Sequence, residues 1–151
     1  MLGPAFYDND STSGLFMRRV LTADMPGIPD LAFGSVDVRD VAAAHILAFE
    51  KPNTDGKRYI LVEGTHHWKV MLKMLEGEFA KYGYKFPSMS VGSFLLRIVS
   101  WFDSEVKSIL PLVGREIRFD NKPSIEELGI NYIGVNKGLI DMAYKMIKMG
   151  S

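Results

Sequence analysis

The chain has 151 residues, enough for one domain with a substantial core, and 47% of them are hydrophobic, which excludes a disordered chain. Lysine plus arginine equals aspartate plus glutamate at 18 each, so no electrostatic footprint points to nucleic acid or an anionic membrane. The chain has no cysteine, and that rules out a disulfide framework, thiolate metal sites and cysteine nucleophiles.

Residues 1–4 (Met-Leu-Gly-Pro) read as the interior of a domain and not as a secretory leader. Residues 5–13 form a polar loop carrying Phe6 and Tyr7. Residues 14–21 are a short helix with Leu15, Phe16 and Val20 inward and Arg18 and Arg19 at its edge. Pro26, Gly27 and Pro29 break the chain before a strand over residues 32–36. Asp37 caps the helix that follows, and Asp40 sits in its first turn against the positive end of the dipole.

That helix carries Val41, Ala44, His45, Ala48 and Phe49 at helical spacing, and apolar residues nearly all round predict burial on more than one side. Lys51-Pro52 ends it, and Asn53, Asp55 and Gly56 make the turn. Residues 59–62, Tyr-Ile-Leu-Val, are a continuous apolar run that suits a strand covered on both faces. Only residues 32–36 and 116–119 offer other strands, so the run is expected to join strands outside this chain.

Residues 65–82 read as the longest helix, with Thr65 as cap and Trp68, Met71, Leu72, Leu75 and Phe79 on one face. Residues 90–101 and 104–110 read as two further helices, the second broken by Pro111. The apolar stretch 91–102 contains Arg97 and is too short to span a membrane, which takes about 20 residues. Ser124 and Glu127 have the spacing of a capping box opening a one-turn helix that stops at Gly129. Asn136 is the expected cap of a last helix with Leu139, Met142, Ala143 and Met146 inward.

Self-contained chemistry is not evident. Asp8, Asn9, Asp10, Ser11 and Thr12 have the look of a calcium loop, but its glycine and bidentate glutamate positions hold Ser13 and Arg19. His66 and His67 are adjacent and so point apart. His45 fits a hydrogen-bonded packing histidine, and no metal is expected. Tyr144 and Lys148 have a Y-x-x-x-K spacing without a neighbouring serine or a cofactor pocket. Neither G-x-G-x-x-G nor G-x-x-x-x-G-K-[ST] occurs, so this chain alone is not expected to hold a dinucleotide.

A resemblance sharpens this. Gly3-Pro4, then Val36-Asp37-Val38-Arg39-Asp40-Val41-Ala42 with Ala44-His45, then Gly56-Lys57-Arg58-Tyr59-Ile60, and later Asp120-Asn121 with Glu127-Leu128-Gly129, occur in order. Together they resemble the C-terminal part of extended short-chain dehydrogenases/reductases, nearest the dihydroflavonol reductases, cinnamoyl-CoA reductases and related NAD(P)-dependent epimerases. The resemblance implies an α/β fold: the substrate-side lobe of an NAD(P)-binding Rossmann-type enzyme, mostly helical with a few short strands. Residues 1–151 would then be a single partial domain, the lobe plus the last helix and strand of the Rossmann sheet, with the N-terminal dinucleotide-binding half missing.

In the complete cytoplasmic protein, the resemblance implies hydride transfer between a nicotinamide of NAD or NADP and a carbonyl or hydroxyl carbon of a small-molecule substrate, with a tyrosine as acid/base. No catalytic or cofactor-binding residue is carried onto this chain, which is expected to be inactive alone. By the same analogy Ala5, Phe6, Tyr7, Phe16 and Arg19 are candidate substrate contacts. The alternative is that Phe6, Tyr7 and Phe16 staple the loop to the core. Expected partners are the missing half or a second copy; the alternative function is a non-catalytic binding or oligomerisation module.

Overall fold

The computed structural model describes residues 1–4, 11–25, 27–101 and 104–150. Helix α1 (Thr12–Leu21) starts where the Ser11 hydroxyl accepts a hydrogen bond from the Gly14 amide. Strands β1 (Ile28–Pro29) and β2 (Ala32–Ser35) follow, then α2 (Val38–Glu50), β3 (Gly64–His67) and α3 (Trp68–Phe79). The second half comprises β4 (Ser90–Val91), α4 (Ser93–Val99), α5 (Ser104–Ile109), α6 (Lys122–Glu126) and α7 (Val135–Met149). Helix therefore dominates, and the strands make two separate pairs.

β2 and β3 pair antiparallel, with Ala32 opposite His67 and Ser35 opposite Gly64, and β1 and β4 pair parallel. These pairings shorten two predicted helices from their N-terminal ends. Residues 65–67 are drawn into the ladder with β2, so α3 starts at Trp68 and not at Thr65. Ser90 and Val91 pair with β1, so α4 starts at Ser93. Gly34 is small for a reason: a Cβ there would lie 2.6 Å from the Phe119 ring.

The main core forms where α1, α3 and α7 meet. Met17 and Val20 of α1, Leu75 and Phe79 of α3, and Leu139 and Ala143 of α7 are fully buried. Phe79 lies 4.8 Å from Tyr144, 5.9 Å from Tyr84 and 6.3 Å from Tyr82, centroid to centroid. Each such buried side chain contributes about 1.5–3 kcal/mol. The inward stripes expected on α3 and α7 are present. On α1 the stripe is turned: Met17 is buried, whereas Leu15 is 39% exposed.

A second cluster joins Ala44 of α2 to Leu128 and Ile130, with Leu47, Ala48, Tyr59, Leu61 and Tyr132 packed against it. α2 is covered on this side alone. Ile46 is 57% and Phe49 91% exposed, so the expectation of burial on several sides fails within these residues. His45 is also on the exposed side, its Nδ1 2.7 Å from the Val41 carbonyl oxygen.

Residues 59–62 do not form a strand, and neither do residues 116–119. A strand requires a ladder, and among the described residues no backbone pairs with residues 58–61. The capping expectations also shift. α6 begins at Lys122 with Asn121 at the cap, and the Ser124 hydroxyl donates to the Asn121 carbonyl instead of capping. α7 begins at Val135 after Gly134, one residue before Asn136. The predicted stop at Gly129 holds, with φ +76°.

Candidate functional site

Of the five candidate substrate contacts, Ala5, Phe6 and Tyr7 lie outside the described residues, as do residues 8–10 of the calcium-like loop. Phe16 and Arg19 are on α1. The Phe16 ring stacks on Trp68 with centroids 4.6 Å apart and planes 19° apart, and Trp68 also meets Phe33 at 5.8 Å. Such offset aromatic pairs add about 0.5–1.5 kcal/mol beyond area burial. One face of Phe16 therefore ties α1 to α3, and Arg19, three positions on, is exposed beside it.

A polar node lies where β2 turns into α2. Asp37 is 3% exposed, and its Oδ1 accepts hydrogen bonds from the Arg39 amide at 2.9 Å and from Arg39 Nε at 2.8 Å. Arg39 Nη2 reaches Asp37 Oδ2 at 2.8 Å and Arg39 Nη1 reaches Asp141 on α7 at 2.8 Å. Burial opposes ionisation of Asp37, but the Arg39 hydrogen bonds and charge outweigh it and hold the carboxyl below its ordinary range. The Asp37 bond raises the Arg39 guanidinium further.

Two glycines make room for this carboxylate. A Cβ at Gly138 would lie 2.8 Å from Asp37 Oδ2, and one at Gly3, where φ is +109°, 2.9 Å from Oδ1. Asp40, 4% exposed, accepts the Ile133 amide at 2.9 Å, and burial pushes its carboxyl upward. Both aspartates are thus structural: one caps α2, and the other ties α2 to the loop before α7.

These carboxylates bear on cofactor binding. The N-terminus of α2 is occupied by Asp37 and Asp40, whose carboxylates would repel a pyrophosphate there. Tyr144 donates to Glu78 Oε1, and that bond, with the contact to Tyr82 3.5 Å away, raises the phenol's pKa. A phenol held protonated by a carboxylate is a poor acid/base partner for Lys148.

His66 and His67 lie on β3, where successive side chains alternate faces. His66 Nε2 meets Glu63 at 2.6 Å, and His67 Nδ1 lies 3.6 Å from Asp30. Among the described residues no three His, Asp or Glu side chains converge as a metal site would need. A groove of about 410 Å³ runs beside β1 and β3, lined by Ile28, Leu31, His67, Lys69, Val70 and Ser90 among others. Neither Phe16 nor Arg19 lines it, and nothing local in the sequence marks it, since its walls come from four separate elements.

No protein-family model matches the chain. It is 34% identical over 82 residues to cinnamoyl-CoA reductase 1 of Arabidopsis thaliana, which is 54% of this chain and 24% of that protein. It is 27% identical over 154 residues to the NADPH-dependent methylglyoxal reductase GRE2 of Saccharomyces cerevisiae, covering 98% of this chain and 41% of the relative. The crystal structure of Gre2 from Candida albicans in complex with NADPH matches with a TM-score of 0.71 at 22% identity, over 99% of this chain and 42% of that one. Yeast methylglyoxal/isovaleraldehyde reductase Gre2 complexed with NADPH matches with a TM-score of 0.67 at 25% identity, over 99% and 44%. The chain spans less than half the length of these relatives, and it corresponds to a C-terminal part of larger NADPH-dependent reductases. No helix among the described residues is long and apolar enough to cross a membrane.

Proposed function

We propose that this chain, the counterpart of a C-terminal part of NADPH-dependent reductases, is the substrate-binding lobe of an NADP-dependent oxidoreductase acting on a carbonyl or hydroxyl carbon. The observation that carries the reading is coverage: 99% of this chain superimposes on 42% of an NADPH-bound reductase. Hydride exchange and nicotinamide binding belong to the remainder of such an enzyme. This lobe supplies pocket wall, with Ala5, Phe6, Tyr7, Phe16 and Arg19 toward the substrate. Support comes from Arg19, whose side chain is exposed on α1 next to Phe16; the stack of Phe16 on Trp68 serves the alternative, a staple to the core, equally well.

The exposed side of α2, with Ile46 and Phe49, is then the surface on which the missing half rests. The chain by itself is inactive and binds no cofactor. Titration of the purified 151-residue chain with NADPH, followed by nicotinamide fluorescence, is expected to show no saturation up to about 1 mM; saturation with a Kd near 1 μM would refute the assignment. A chimera replacing the matching part of yeast Gre2 with this chain tests the pocket. There Phe16→Ala and Arg19→Ala are expected to raise KM for the carbonyl substrate without moving the KM for NADPH.

A further inference from the structure

Trp68 stands where three elements meet. It is the first residue of α3, directly after the β3 residues that pair with β2, and its amide donates to the Leu31 carbonyl at 2.9 Å. Its ring meets Phe33 of β2 at 5.8 Å with planes 57° apart, and Phe16 of α1 at 4.6 Å with planes 19° apart. Further along α3, Leu72 and Leu75 are buried in the main core. The indole is therefore fixed by its own helix and by the β2–β3 pair, independently of α1.

Phe16 is less constrained by its helix. Met17 and Val20, both fully buried, fix α1 on the core, but Phe16 precedes Met17 and so points about 100° away from it round the helix. Its ring is half-buried, and Trp68 supplies its one ring contact among the described residues. A side chain hops between staggered rotamers unless packing selects one, and a near-parallel indole selects the rotamer in which the rings stack. The geometry points to Trp68 as a positioning residue for the substrate wall: it holds Phe16 in the orientation that the substrate meets, without touching the substrate itself. This role rests on α1 being pocket wall, as proposed above. A ligand that needs one orientation binds more weakly in proportion to the fraction of protein that holds it, and an aromatic pair of this kind biases that fraction by about 2- to 12-fold.

Two measurements test the role. The chain has two tryptophans, and Trp101 is 84% exposed, so Trp101→Phe leaves Trp68 as the only reporter. In that variant of the 151-residue chain, Phe16→Ala is expected to shift the Trp68 emission to the red, because the ring covering the indole is gone. Unchanged emission overturns the role independently of the reductase reading. In the Gre2 chimera, Trp68→Leu keeps an apolar side chain but removes the ring. It is expected to raise KM for the carbonyl substrate about 2- to 12-fold while kcat and the KM for NADPH stay unmoved. Trp68→Phe restores a ring and should lie within about 2-fold of the parent. Adding Trp68→Leu to Phe16→Ala should raise KM no further, since the two residues act as one unit. A purely structural Trp68 would instead lower Tm and leave KM unchanged; that result, or additive effects of the two substitutions, overturns the role. If Phe16→Ala raises KM and Trp68→Leu does not, the role alone fails; if Phe16→Ala leaves KM unchanged, the pocket-wall assignment fails and the role with it.

Discussion

Replacing Asp37 tests whether the node between β2 and α2 organises the fold. The carboxylate caps α2 and takes two bonds from the Arg39 guanidinium, which reaches on to Asp141 of α7. Losing the cap costs about 1 kcal/mol. Breaking a fully buried ion pair would cost about 3–5 kcal/mol, but the Arg39 side chain is 37% exposed and regains water, so about 1–2 kcal/mol is expected. Asp37→Ala should therefore lose about 2–3 kcal/mol in urea unfolding at pH 7, or about 5–10 °C in Tm for a chain of this size.

The pH dependence has a definite sign. Because the folded-state pKa lies below the unfolded value, the Asp37 contribution is complete above about pH 4 and is lost as pH falls through the lowered pKa. The gap between wild type and Asp37→Ala should narrow in acid. A loss under about 0.5 kcal/mol at pH 7, or a gap that stays constant to pH 2, would refute the reasoning.

Asp40 has the opposite sign: burial raises its pKa, so its charge weighs against folding once pH exceeds the folded value. Asp40→Asn, whose amide oxygen can still accept the Ile133 amide, should leave stability at pH 7 within about 1 kcal/mol of wild type, and a loss equal to that of Asp37→Ala would contradict this. Phe79→Ala empties a fully buried site among three tyrosine rings and should cost about 3–5 kcal/mol by denaturant titration; a cost below about 1 kcal/mol would show that the core collapses around the gap.

Local chemistry was legible in the residues themselves. The stripe of Leu139, Met142, Ala143 and Met146 on α7, the Asp37 cap and the stop at Gly129 follow from spacing and side-chain type, and each is present. Two of the misread helix starts share one cause, which is pairing between distant segments. Thr65 looks like a helix cap until residues 64–67 meet β2, and Ser90 looks helical until it meets β1. At the candidate site, Phe16 was visible as an aromatic on a short helix, but its partner Trp68 is 52 positions away, and only the packing of α1 on α3 brings the two rings together.

The sequence by itself determined the Asp37 cap, the apolar stripes of α3 and α7 and that neither glycine-rich phosphate motif occurs in it, because these depend on residues within a few positions of one another. Only the tertiary structure decided that Asp37 is locked by Arg39, which also reaches Asp141, that α2 keeps Ile46 and Phe49 exposed, and that residues 59–62 have no ladder among the described residues. Hydrophobicity marks a run as suited to a sheet, but a strand exists only where a second backbone supplies the donors and acceptors. That condition lies outside the run.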